Sequence, residues 1–417
     1  MACGSSTLLH FPSEILLQVF QHVDYKDLVN LSLVNNLFCN VATDDSLWKI
    51  QCDKCFMLQE CPEDSTWKEL FLKYYGNYGD VLGVYIRIRT AWNKIMGYLK
   101  KYDKVITSTL LPPATEEQLR EAESKLGCRF PDDMRCSLKI YNGQKQGAGP
   151  GLLGCIAIST HFRSEKLLDC KTIAENFSVE DDSPFPGCTP ITYCCMTQRC
   201  QLMSFREEYG IPNGQIFFPC ADGDSKDDDL DAFICGNTYT EWLEELAELM
   251  DKEIFYRIKG CHFRFLDVPD CVRVTRDMFT VKVGTCFMPD LSTVHPPSFF
   301  YVYRITMKMH DDAPRKESCQ LLSRYWSITD MDGNEEIMEG PGVVGENPVL
   351  IPGEEFSWES GTTFPTTYGN MKGHFVMINL EKGTEFRIEC PVFHMKCLPY
   401  ETSAQRKERV EERKKNL

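Results

Sequence analysis

Apolar residues recur at three- and four-residue spacing through the first fifty positions, which is the period of an amphipathic helix. The first stripe, with Pro12 suited to a first helical turn, consists of Phe11, Ile15, Leu16, Val19, Phe20 and Val23. Asp24 is suited to cap a second helix. The apolar positions of that helix are Leu28, Leu31 and Val34, and those of a third are Leu37, Phe38 and Val41. The pattern therefore predicts three short helices before residues 44–50.

This helical unit is too small to hide all of its apolar side chains. About 40 residues is near the lower size limit for an independent core, and three short helices cannot cover so many large apolar groups. Some of this surface should therefore contact other residues. The period fits two interpretations equally: the helices dock on another protein, or they pack as a cap on the rest of the same chain.

Residues 57–106 keep the helical period with mixed charge, and they predict helices that link the N-terminal unit to the rest of the chain. Gly76, Gly79 and Gly83 are expected to interrupt them. The basic residues of this segment are most simply a solvated helix face.

The next segment alternates helix signals with short apolar runs. Thr115, followed by acidic residues, predicts the start of a helix that Gly127 closes. Short apolar runs at residues 152–159, 189–194 and 214–220 predict strands, and residues 238–250 predict a helix. Together they predict an α+β domain that ends near residue 250.

From residue 278 onward the period changes to two, with turn residues between the runs, which predicts a β-sandwich. Tyr301, Tyr303, Ile305 and Met307 are predicted to share one face. Asp332-Gly333 and Lys382-Gly383 are predicted turns. Residues 403–417 carry mixed charge without an apolar stripe, so they predict a frayed, solvated tail.

Composition narrows the class of protein. A chain of 417 residues suggests two to four domains, and a formal charge of −16 argues against nucleic-acid or anionic-membrane binding. No apolar run is long enough for a membrane span, and the first residues lack a signal-peptide pattern. We therefore expect a cytoplasmic and nuclear protein whose 21 cysteines are reduced.

The N-terminal unit resembles the F-box family. The resemblance is carried by the pair Phe11-Pro12, by EILLQVF (14–20), by Asp27-Leu28, by LSLV (31–34) and by SLWK (46–49). Phe11 replaces the usual leucine, and Asn35-Asn36 stand where the family often has cysteine and a basic residue. Neither change removes an apolar anchor.

Two more families are resembled further along. Residues 107–143, with a helix, the step LGCRFPDD (126–133) and Asn142-Gly143, resemble the SUKH or Knr-type family. Residues 321–333, 339–364 and 368–377 resemble the ApaG family, in order.

The fold that these three resemblances imply is multidomain α+β. It consists of a three-helix F-box (10–56), a helical linker (57–106), a SUKH-like α+β domain (107–250), an all-β, fibronectin-III-like ApaG sandwich (278–402) and a charged tail (403–417).

The F-box resemblance implies a non-catalytic substrate receptor of a cullin-type ubiquitin ligase. It implies docking on a Skp adaptor, which carries a cullin and a RING subunit, and it implies protein substrates for degradation. The expected adaptor-binding residues are Phe11, Pro12, Ile15, Leu16, Val19, Phe20, Leu28, Leu31, Val34 and Trp48. Some of these must hold the helices together, and the sequence does not partition them.

A glycine loop in the ApaG-like segment supplies a candidate contact face for a substrate or a ligand. Successive exposed N–H groups of such a loop can form an anion-binding nest, with Arg324 as an assistant. The candidate residues are Arg324, Trp326, Gly340, Gly342, Gly345 and Glu346. A structural loop is the alternative interpretation. The rival function is a small-ligand or anion-binding protein built on this domain, with the N-terminal helices packed internally.

No motif indicates catalysis or a cofactor. Two GxGxxG matches, at residues 149–154 and 340–345, lack the strand before and the helix after that dinucleotide binding needs. Cys52, Cys55 and Cys61 offer three ligands where a structural zinc site needs four. The acidic segment 221–231 fails the calcium-loop pattern and predicts a solvated loop.

Overall fold

The computed structural model describes residues 11–178, 184–220, 230–258, 260–266 and 271–416. They form two compact units. The first contains the described residues up to Thr90 together with Asp132–Ser137, and the second contains Ala91–Pro131 together with the described residues from Leu138 onward. Within this part of the chain no helix is both long enough and apolar enough to cross a bilayer.

Helices dominate the N-terminal third and recur between the sheets. They are α1 (Ser13–Phe20), α2 (Tyr25–Ser32), α3 (Asn36–Ala42), α4 (Asp45–Phe56), α5 (Trp67–Tyr78), α6 (Leu82–Tyr102), α7 (Lys104–Thr109), α8 (Glu116–Leu126), α9 (Asp132–Leu138), α10 (Cys170–Glu175), α11 (Tyr239–Asp251) and α12 (Ser403–Asn416).

The three predicted N-terminal helices are confirmed as α1, α2 and α3. Asp24 caps α2 as predicted, because its side chain accepts a hydrogen bond of 2.8 Å from the backbone N–H of Asp27. A fourth helix, α4, comes immediately after them and is absent from the sequence prediction. Asp44 begins it by accepting a hydrogen bond of 3.0 Å from the N–H of Ser46.

The linker helices are confirmed, but two of the predicted interruptions are wrong. Gly76 lies inside α5 and Gly83 inside α6, and Gly79 alone of the three falls between these helices. A glycine in a helix costs about 1 kcal/mol relative to alanine. Burial of Phe71 and Tyr85 on the same helices outweighs that cost.

Strands build the rest of the second unit. They are β1 (Cys155–Ile158), β2 (His161–Ser164), β3 (Lys166–Leu167), β4 (Cys188–Pro190), β5 (Thr192–Tyr193), β6 (Leu202–Ser204), β7 (Ile216–Pro219), β8 (Ala232–Gly236), β9 (Phe255–Ile258), β10 (Cys261–Leu266), β11 (Val272–Thr275), β12 (Phe279–Phe287), β13 (Phe299–Met309), β14 (Cys319–Asp330), β15 (Glu335–Pro341), β16 (Val349–Leu350), β17 (Glu355–Phe364), β18 (Tyr368–Asn379), β19 (Glu385–Lys396) and β20 (Tyr400–Glu401).

The central α+β region agrees with its sequence signals. Thr115 and Gln118 form a capping box at the start of α8, and Gly127 ends that helix with a left-handed φ of 67°. The predicted strands and the predicted helix are confirmed in β1, β4, β5, β7 and α11. One sheet has the order β2-β1-β10-β9, and a second has the order β20-β8-β7-β6-β4.

The central sheets extend past the predicted end near Met250. β10 pairs in parallel with β1, at Phe263 opposite Cys155, and β9 pairs with β10. Residues 255–266 therefore complete a sheet that begins a hundred residues earlier. Such pairing is set by long-range contacts, which short apolar runs do not reveal.

The predicted sandwich is confirmed. One sheet has the order β11-β12-β13-β17, and the other has the order β15-β14-β18-β19 with β16 beside β14. Tyr301, Tyr303, Ile305 and Met307 are all buried in the shared core, as their alternation on β13 predicts. Gly333 and Gly383 adopt left-handed φ values of 85° and 65° in the predicted turns.

The prediction of a frayed, solvated tail is wrong for residues 403–416. β20 adds an antiparallel strand to β8, with Tyr400 opposite Phe233, and α12 comes directly after it. Arg406 is buried, donates to the carbonyl of Leu230 and lies 4.8 Å from the ring centre of Phe185. Arginine side chains, rather than an apolar stripe, hold this helix.

Candidate functional site

The expected adaptor-binding residues divide between a core and a surface. Leu16, Phe20, Leu28 and Trp48 are buried in the first unit. The Phe20 ring packs edge-on against Phe38 at 5.5 Å, and the Trp48 indole N–H donates a 3.0 Å hydrogen bond to the carbonyl of Ala42. These four side chains hold the helices together, so their contribution to docking is to shape the surface.

The remaining residues of the set form an exposed apolar surface. Ile15 and Val19 are spaced four residues apart on one side of α1, Phe11 lies just before that helix, and each of the three is at least 40% exposed. Pro12 is also exposed and Leu31 is half-buried. Val34, just beyond α2, is 61% exposed. The structure thus separates the partner-facing candidates from the core, which periodicity could not do.

Two further residues enlarge this surface and were missed from the sequence. Leu33, at the end of α2, is 81% exposed, and Val29 is 47% exposed. Neither falls on the apolar stripe of α2. An apolar residue outside the stripe that faces the core is the sequence signal that could have identified both as surface residues. We call the set Phe11, Ile15, Val19, Val29, Leu33 and Val34 the docking surface.

The glycine loop lies between β15 and β16 and is held as a tight turn. The N–H of Gly342 donates to the carbonyl of Leu322 at 2.9 Å, while Val343 and Glu346 exchange hydrogen bonds of 2.9 and 2.8 Å. Gly342 and Gly345 have left-handed φ values of 56° and 81°. These bonds occupy three N–H groups that an anion would need, so the structural interpretation of this loop gains support.

Arg324 is also engaged by the loop. Its guanidinium donates to the carbonyls of Pro341 and Gly342 at 3.0 and 2.8 Å, and Gly340 leaves room for it. The structure therefore brings Arg324, Gly340, Gly342, Gly345 and Glu346 together. A substrate contact there stays a prediction.

Trp326 does not join that group. It is 2% exposed, and its ring packs edge-on against Phe375 and Phe393 at 5.5 and 5.9 Å. A tryptophan so placed fills the core of the sandwich. We correct its assignment from a contact residue to a core residue.

Several buried cysteines have the electrostatics of inert thiols. Burial raises the pKa of Cys52, of Cys188 and of Cys235 to about 12. A nucleophilic cysteine needs the opposite shift, because the thiolate is the reactive form. Cys52 and Cys61 instead donate to the carbonyls of Trp67 and Ser65, each at 3.3 Å.

The remaining motifs considered in the sequence are the metal, dinucleotide and calcium candidates. Among the described residues there is no group of three or more histidine, cysteine, aspartate or glutamate side chains placed to hold a metal ion. The first glycine motif precedes β1, as predicted, with left-handed φ values at Gly149 and Gly154. Most of the acidic segment 221–231 lies outside the described residues, namely residues 221–229.

Family models match three parts of the chain, in the order expected from its resemblances. They are the F-box-like model at residues 8–54, the SMI1 / KNR4 family (SUKH-1) at residues 113–245 and the ApaG domain at residues 289–379.

Two relatives align with nearly the whole chain, and a third aligns with a shorter part of it. F-box only protein 3 of Rattus norvegicus is 38% identical over 410 residues, which cover 97% of this chain and 85% of the relative. F-box only protein 3 of Homo sapiens is 37% identical over 407 residues, covering 96% and 86%. Protein ApaG of Beijerinckia indica subsp. indica is 40% identical over 122 residues, covering 29% of this chain and 89% of that protein.

Proposed function

Since this chain belongs to the family of F-box only protein 3, we propose that it is the substrate-recognition subunit of an SCF-type ubiquitin ligase. In this role its N-terminal helices bind a Skp adaptor, which carries a cullin and a RING subunit. The chain then presents protein substrates for ubiquitination and proteasomal degradation. We place it in the cytoplasm and the nucleus, where such complexes and their substrates meet.

The docking surface is the observation that carries this proposal. It consists of six large apolar side chains just before and on α1, on α2 and just after α2, and all of them are well exposed. An amphipathic helix presented in this way is suited to a hydrophobic groove on a partner. The rival arrangement, in which these helices pack internally, would instead bury these side chains within the chain.

The chemistry stays on the partners. The thiols with raised pKa do not supply a nucleophile for ubiquitin transfer. A receptor contributes by holding a substrate lysine near the charged carrier enzyme, which raises the effective concentration of the two reactants. We assign substrate choice to the SUKH-like and ApaG-like regions, because an adaptor-binding module gives no selectivity among substrates.

Copurification of the full chain with a Skp adaptor tests the proposal. The informative variant is Ile15→Asp with Val19→Asp, because both side chains are exposed and their loss spares the core. Leu16 and Phe20 are unsuitable, since a charge at either buried position would unfold the helices. We expect a stable wild-type complex and a variant affinity weakened by roughly thirtyfold or more, as for other interface hot spots.

The matched control is Val274→Asp with Ile337→Asp, which places the same two charges at exposed apolar positions of β11 and β15. It should bind the adaptor like the wild type. The proposal is wrong if the wild-type chain does not bind, or if the α1 variant binds as tightly as the control.

A further inference from the structure

A cavity of about 330 Å³ lies in the second unit, and no residue of the docking surface or of the glycine loop lines it. Its walls come from distant parts of the chain: Trp242 and Leu249 on α11, Arg264 and Leu266 on β10, and Phe287 on β12. This volume is at the lower end of the roughly 300–1,000 Å³ that small-molecule sites occupy. The aromatic and leucine walls suit an apolar or aromatic group.

The polar part of the cavity lining already has its hydrogen bonds and ion pairs within the chain. Trp242 donates from its indole N–H to Gln201 at 2.9 Å, and the Gln201 amide donates to Glu165 at 2.9 Å. Arg163 is 3% exposed and is paired with both Glu165 and Asp290. This network fixes the orientation of the side chains in the cavity wall. Because the Arg163 guanidinium is already paired with two carboxylates, it is not free to bind a ligand.

Two other cations at the cavity have no such partner. The side chains of Arg264, half-buried on β10, and of Lys396, exposed at the end of β19, make no hydrogen bond or ion pair with any residue that the structure describes. Burial raises the pKa of the Cys286 thiol beside them, and Arg264 and Arg163 partly offset that rise. The guanidinium of Arg264 therefore has no direct hydrogen-bond partner at the cavity, although burial of Glu165 is outweighed by the charges of Arg163 and Arg264, which lower the pKa of that carboxyl.

From this arrangement we propose that the cavity binds a carboxylate attached to an apolar or aromatic group. Arg264 receives the carboxylate in its planar fork of N–H donors, Lys396 adds a second positive charge at the mouth, and the wall around Trp242 and Leu249 receives the apolar part.

The charges near the cavity favour a single negative charge on the ligand. Arg163 with Glu165 and Asp290 sums to −1, and half-buried Arg264 brings this sum to zero. Lys396 and Glu245 also line the cavity, but both are exposed, they are opposite in charge, and solvent screens them. A carboxylate with one negative charge therefore leaves less uncompensated charge in the cavity than a phosphate ester with two.

Two sources can supply this chemistry: a free organic acid, or the C-terminal carboxylate of a protein chain with an apolar last residue. In the second case the cavity would read the end of a substrate, and that extension rests on the proposed receptor function. The proposal that the cavity binds a carboxylate does not rest on the receptor function, because ligand binding to the cavity is measured without the adaptor.

Calorimetric titration of the full chain tests the site, with N-acetyl-phenylalanine, N-acetyl-phenylalaninamide and phenyl phosphate as probes. We expect the acid to bind at least about tenfold more tightly than the amide, because the amide cannot form the charge-assisted pair. A pentapeptide ending in phenylalanine separates the sources: tighter binding than the acid indicates a chain terminus, and weaker binding indicates a free acid.

Arg264→Met should weaken binding of the acid about tenfold, while Arg273→Met, an exposed arginine on β11 outside the cavity, should leave it unchanged. Leu249→Trp should block the cavity without changing charge, and thermal unfolding checks that each variant is folded. The proposal is overturned if acid and amide bind equally, if phenyl phosphate binds more tightly than the acid, if folded Arg264→Met binds normally, or if none of the probes binds at millimolar concentration.

Discussion

The long strands of the sandwich and the first two helices of the chain use apolar residues in opposite ways. On β18 buried and less buried positions alternate almost without exception, and the apolar members of β13 lie in the core. On α1 the apolar stripe splits, with Leu16 and Phe20 inside and Ile15 and Val19 in contact with solvent. On the inner strands β13 and β18 most apolar positions are therefore buried, whereas on α1 an apolar position belongs either to the core or to the exposed surface.

The difference arises from how much each region can enclose. Two facing sheets enclose a continuous core, so nearly every inward side chain finds neighbours within the same chain. Four short helices enclose far less volume, and the excess apolar area stays outside. Such an excess is the mark of a partner surface rather than a defect of packing.

The largest expected effect on stability is in the core of the sandwich. Trp326→Ala should lower the free energy of unfolding by about 3–5 kcal/mol, because it removes a ring packed among Phe375, Phe393 and Tyr303. Urea denaturation followed by intrinsic fluorescence and circular dichroism measures it. Ile337→Ala, at an exposed position of β15, should change the stability by less than about 0.5 kcal/mol. Equal effects of the two changes would break the comparison.

Substitutions at two neighbouring residues of α1, Leu16 and Ile15, test the N-terminal helices in the same comparison. Leu16→Ala should cost about 2–5 kcal/mol in local stability, because it opens a cavity in the helical core, whereas Ile15→Ala should cost less than about 1 kcal/mol. Hydrogen exchange of the amides in α1–α3 gives the local stability of this unit without interference from the second. Adaptor affinity should rank the single variants differently, with folded Ile15→Ala clearly weakened. Similar protection factors for both variants would show that the core and surface assignments are wrong.

The smallest expected effect on stability is in the glycine loop. There the cost of a substitution depends on the backbone conformation rather than on burial of a side chain. A Cβ at Gly342 would overlap the carbonyl oxygen of Glu346 in addition to the strain of a left-handed φ, whereas a Cβ at Gly345 meets nothing within 4 Å. Gly342→Ala should therefore destabilise the sandwich by roughly 2–3 kcal/mol and Gly345→Ala by about 1 kcal/mol. Thermal unfolding of both variants measures the difference. An equal loss would mean that the turn relaxes to accept the methyl group.

Much of this fold could be predicted from the sequence because its signals are local. Caps such as Asp24 and Thr115 and the alternation on β13 each concern neighbouring residues, and all of them are confirmed. The partner surface was predicted in outline, but Leu33 was missed because it lies outside the stripe that defines the helix face.

The remaining features depend on contacts between distant residues. α12 has no apolar stripe, and its anchors are arginines that reach carbonyl groups almost two hundred positions away, as Arg409 does at Gly210. The cavity draws its walls from strands and a helix that no single stretch of sequence places together. Such features need the folded chain, because sequence spacing carries no information about them.

The pairing of β20 with β8 has a consequence for the synthesis of the chain. Tyr400 pairs with Phe233, so 167 residues separate the two strands. At roughly 5–20 residues per second, on the order of ten seconds pass between the emergence of β8 and that of its edge partner. During that interval the sandwich can form while the sheet before it still has an open edge, which is the kind of surface that attracts wrong pairing or a chaperone. β20, which is translated after the whole sandwich, thus completes a sheet begun in the middle of the chain.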